Sequence, residues 1–87
     1  MTKKEFKDVL VKAIGGTAYG DALIKDLVDH FDETGKYAQT AKDRLDEHIA
    51  TLNGWAKKHE AEGETAKAVE EEANVKICEI AMKALGL

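Results

Sequence analysis

Arg44, His48, Thr51, Trp55 and His59 recur at intervals of three and four residues, which sets them along one flank of a helix. A guanidinium, two imidazoles, a hydroxyl and the chain's single indole in a row can hold an anionic or aromatic ligand. They can equally anchor a protein partner, because Trp and Arg concentrate in interface hot spots. The structural reading is that Trp55 packs at the edge of a bundle with His48 and His59 covering it. His48 and His59 are separated by roughly three turns, ~16 Å along the axis, too far to share a metal ion from one helix.

A second candidate is the run Gly15-Gly16-Thr17-Ala18-Tyr19-Gly20 ahead of a helix. Gly15, Gly16, Thr17, Tyr19 and Gly20 form an anion loop if their backbone N–H groups point at a phosphate. The P-loop lysine and its preceding strand are absent, and Asp21, a natural N-cap, competes for the same donors. A helix end followed by a turn explains the same residues.

Asp26 and His30, with Glu33 beyond them, have helical spacing for a divalent ion, but the Glu-x-x-His repeat of di-iron bundles is missing. A solvated acidic face accounts for them, and no metal or other cofactor is expected. Between Glu60 and Glu72 six glutamates face one lysine, Lys67. Glu60, Glu62, Glu64, Glu70 and Glu71 thus make an acidic tip, either a solvated turn or a knob that docks on a basic surface. The lone Cys78 lies in the most apolar stretch and reads as a buried thiol of a cytoplasmic protein.

These groups must be positioned by helices. Thr2 to Glu5 fits a capping box, and Phe6, Val9, Leu10, Ala13 and Ile14 then line one face of a helix over 3–14. A second helix is predicted over 21–33, with Leu23, Ile24, Leu27, Val28 and Phe31 inward and Gly35 as its stop. Residues 38–61 and 65–86 repeat the helical pattern and are joined across Gly63, which predicts a long αα-hairpin with Thr65 as N-cap of its second arm. Asn53-Gly54 conflicts locally with a continuous first arm and marks a kink, a split or a close approach.

On the second arm Glu72, Lys76, Glu79 and Lys83 occupy a narrow charged stripe with i,i+4 pairs in the favourable order. The surrounding cylinder is apolar, so it must be covered on more than one side, and Val75, Cys78, Met82 and Leu85 are the candidates for an interface between copies.

Composition supports an all-α single domain, a small bundle of about four helices built on the C-terminal hairpin. The chain has 87 residues, no Pro and 34% charged residues, and 13 of its apolar residues are Ala, which fill little volume. The net charge is −4, with −1 over residues 1–37 and −3 over the rest, so no basic segment is present for binding phosphate backbones. The apolar runs are too short for a signal peptide or a membrane span.

No nucleophile and base stand at catalytic spacing, so an enzyme is not expected. The function expected is a non-catalytic, acidic, self-associating protein-binding module, an accessory, inhibitor or adaptor such as phage or mobile elements encode. The alternatives are a binder of a small anionic or nucleotide-like ligand, using the Gly-rich loop and the Arg44/His48/Trp55 flank, and a purely structural homo-oligomer.

Overall fold

Thr2 starts the first helix in the computed structural model, which describes residues 1–87. Its hydroxyl accepts the Glu5 N–H at 3.1 Å while the Glu5 carboxylate accepts the Thr2 N–H at 3.1 Å, so two end donors are satisfied reciprocally. The helix, α1, spans Lys3–Ile14 and buries Phe6, Leu10 and Ile14.

The remaining elements are α2 (Ala18–Asp29), α3 (Tyr37–Ala61) and α4 (Thr65–Ala84). α3 and α4 form the predicted antiparallel hairpin, and α1 packs on both α2 and α4. Its turn uses Gly63 at φ +77°, a conformation that only glycine adopts cheaply, and the Glu64 N–H returns to the His59 carbonyl at 2.8 Å.

The core joins all four helices, with Leu10, Leu27, Leu45 and Cys78 fully enclosed. Phe6, Phe31 and Tyr37 seal one end, their ring centroids 4.9 to 5.9 Å apart. Ala56 and Ala68, nearer the hairpin turn, are buried but lie outside this main cluster. Small side chains there let the two arms close on each other without α1 or α2. The hairpin thus extends past the four-helix core, and the molecule measures 45 × 23 × 19 Å.

Several expectations need correction. α2 begins at Ala18 and ends at Asp29, so its cap is Thr17 rather than Asp21, and Phe31 and Glu33 follow the helix. α3 runs unbroken through Asn53-Gly54, because Gly54 faces open space and nothing there forces a kink. The N-cap of α4 is Glu64, without a side-chain cap bond, and the helix ends at Ala84.

Candidate functional site

Arg44 and His48 do not join Trp55 in one site. Both turn toward α2, where the Asp26 carboxylate receives Arg44 Nε at 2.9 Å and Arg44 Nη2 at 2.6 Å, while His48 Nε2 lies 3.0 Å from Asp26 Oδ2. The two-point guanidinium contact, then the His48 contact, hold the Asp26 carboxyl down at about 2 against the opposing effect of burial. His30 Nδ1 lies 2.8 Å from the Asp26 carbonyl oxygen and closes the same cluster. Asp26 is therefore a tie between α2 and α3, and the solvated acidic face expected for it is corrected. The expectation failed because the partners lie 18 and 22 residues away on another helix.

The glycine N–H groups of the Gly-rich stretch are likewise occupied. Thr17 Oγ1 accepts the Gly20 N–H at 3.0 Å, and Asp21 Oδ1 accepts the Gly16 N–H at 3.0 Å. Gly15 N–H and Asp21 N–H go to the Val11 and Thr17 carbonyls. Gly20 is buried in the first turn of α2, where an added Cβ would collide with the Ile14 carbonyl oxygen. Close approach of two helices, rather than an anion, is what its lack of a side chain serves. Tyr19 points inward, its hydroxyl 3.6 Å from Cys78 Sγ, and burial raises the pKa of both groups.

The interface candidates on α4 are also placed elsewhere. Cys78 is fully buried, and Val75, Met82 and Leu85 pack against the core of the same chain. α1 and α3 cover the side of α4 that had been assigned to a second copy.

Trp55 stands apart from these contacts. It is 46% exposed on the part of α3 that extends beyond the core, with Lys58 Nζ 5.0 Å from its ring centroid. His59 stacks beside it at 5.9 Å between centroids and 25° between planes. A cation over the indole and an imidazole along it flank the ring, which stays half-exposed. Lys58 was missed from the sequence, although its i,i+3 spacing from Trp55 is the signal for it. Thr51, one turn back, is exposed.

His59 connects the indole to the acidic tip. It is largely enclosed, with Nδ1 3.6 Å from Glu64 Oε1 and lacking a hydrogen-bond partner, and Nε2 4.0 Å from Glu71 Oε1. Ligand atoms of His59, Glu62 and Glu64 all lie within 4.8 Å of one another, the one grouping here with metal-ligating spacing. Lys67 Nζ already sits 2.7 Å from Glu64 Oε2, an ammonium where a metal ion would have to compete. That contact holds the Glu64 carboxyl well below the usual carboxylate range. Glu60, Glu62 and Glu70 are exposed beside this cluster and carry its outward negative charge.

A surface depression between α1 and α2 is lined by Lys7 and Lys25 together with Asp21 and Asp29, which give no net sign for a charged ligand. Comparison with protein-family models, with curated proteins and with solved structures gives no match. No helix is long and apolar enough to cross a membrane.

Proposed function

We propose that this chain is a non-catalytic protein-binding module whose contact surface is Trp55 with the acidic end of the hairpin. The observation that carries the reading is the braced, half-exposed indole, held by Lys58 and His59 on the extended part of α3. An aromatic side chain loses little entropy when it enters a partner's pocket. Glu60, Glu62 and Glu70 lie toward the hairpin turn and suit a partner whose pocket is rimmed by Lys or Arg, which they would steer at low salt.

The small-ligand reading loses support because Arg44, His48 and the N–H groups of Gly15, Gly16 and Gly20 already have intramolecular partners. The test is capture from the source organism's lysate on immobilised chain, identification of the retained protein, and titration of that purified partner. Trp55→Ala should weaken binding by at least tenfold, and Glu62→Lys with Glu70→Lys should slow association most at low salt. A partner that binds Trp55→Ala as tightly as the wild type would overturn the proposal, as would failure of the wild-type chain to retain any protein.

A further inference from the structure

The side of α4 turned away from the core is unpartnered, and it is apolar. Val69 is 57% exposed and Ile80 49% exposed, with Ala73 and Ala84 exposed in the same row at helical spacing. Glu72, Lys76, Glu79 and Lys83 run along one edge of this row, all exposed. The i,i+4 pairs expected among them are absent, since none of the chain's ion pairs uses any of the four. A shallow surface depression is lined by Ile80 together with Lys76, Glu79 and Lys83.

We propose that this face binds a second copy of the chain, α4 against α4, antiparallel about a two-fold axis. The charge order decides the occupant. In a two-fold antiparallel pair each edge of the helix faces its own reversed copy. The order acid, base, acid, base reversed is base, acid, base, acid. Glu72 therefore meets Lys83 of the second copy, and Lys76 meets its Glu79, each pair twice over. A parallel pair would instead set this edge against the opposite one, where Glu70 gives no alternating order to match.

The same register brings Ile80 to about 7.5 Å along the axis from its copy, at 1.5 Å per residue, so the two isoleucines cover the centre of the contact. Ala73 and Ala84 keep the helices close. This face is separate from Trp55, so its failure and that of the proposed partner surface are distinguishable.

Sedimentation velocity of the wild-type chain across a range of concentrations, with far-UV circular dichroism of each variant as the check on folding, tests the assignment. A wild-type dimer is expected, and Ile80→Glu should give a folded monomer. The variant with Lys76→Glu and Lys83→Glu, and the variant with Glu72→Lys and Glu79→Lys, should each be monomeric alone and form a heterodimer when mixed. A wild-type chain that stays monomeric at every concentration overturns the proposal. So does a dimer that survives Ile80→Glu, or charge variants that fail to associate on mixing.

Discussion

Arg44 grips Asp26 at two points, Nε to Oδ2 at 2.9 Å and Nη2 to Oδ1 at 2.6 Å, across the gap between α3 and α2. The planar guanidinium matches the carboxylate fork, so the contact fixes orientation as well as distance. Asp26 is 23% exposed and Arg44 32% exposed, so water weakens the pair only in part.

A pH dependence follows with a definite sign. The folded-state pKa of Asp26 is lowered from 3.8 to about 2, so its contribution is fully present above pH 4 and is lost as pH falls through that interval. At 1.36 kcal/mol per unit and with partial screening, about 1 to 2 kcal/mol is at stake. Thermal melts between pH 6 and pH 2 should show Asp26→Asn less stable than wild type at pH 6, with the gap closing toward pH 2. A gap that stays constant down to pH 2 would mean the charge is not the source.

Gly20→Ala should destabilise the chain by about 1 to 3 kcal/mol, because the new methyl must displace either the Ile14 carbonyl or the start of α2. Urea titration measures it. An unchanged midpoint would show that the α1 to α2 junction is loose enough to yield, contrary to the buried position of Gly20.

Gly54→Ala should do the reverse. Gly54 lies in the interior of α3 and a Cβ there meets nothing within 4 Å, so only the helix preference of Ala acts. The gain is about 0.5 to 1 kcal/mol, visible as a higher melting temperature. If the melting temperature falls instead, the helix does not run straight through Asn53-Gly54.

The helices were legible because apolar residues at three- and four-residue spacing report a face, and Thr2 with Glu5 reports a start. What periodicity cannot report is which of two apolar faces on α4 meets the rest of the chain. Val75, Cys78, Met82 and Leu85 lie on one face, and Val69, Ala73, Ile80 and Ala84 on the other, so either choice satisfies the pattern. Packing of α1 and α3 decides in favour of the first. Arg44 and His48 were legible as a flank, but their partner Asp26 is brought near only by the fold of the intervening turn. Gly20 looked like part of a flexible loop because a glycine needed for close approach and one needed for a turn are the same letter.

Cys78 should be protected from thiol reagents until the chain unfolds. Its side chain is fully buried beside the Tyr19 hydroxyl, and burial pushes the thiol pKa above its ordinary value, so little thiolate exists at pH 7 and none is accessible. Labelling with a chromogenic disulfide should be slow in buffer and stoichiometric in guanidinium. Its rate should follow the global unfolding equilibrium as denaturant rises, because no partial opening of α4 exposes the sulfur without losing the contact with α1 and α2. Tyr19→Phe should change that rate only slightly, since a thiol is a weak hydrogen-bonding partner and the ring still fills the space. Leu10→Ala, which removes volume from the same core, should speed labelling by well over tenfold, in line with a cost of about 2 to 5 kcal/mol. Fast labelling of the wild-type chain would instead mean that α4 opens independently of the other helices and that the core joining all four is not closed in solution.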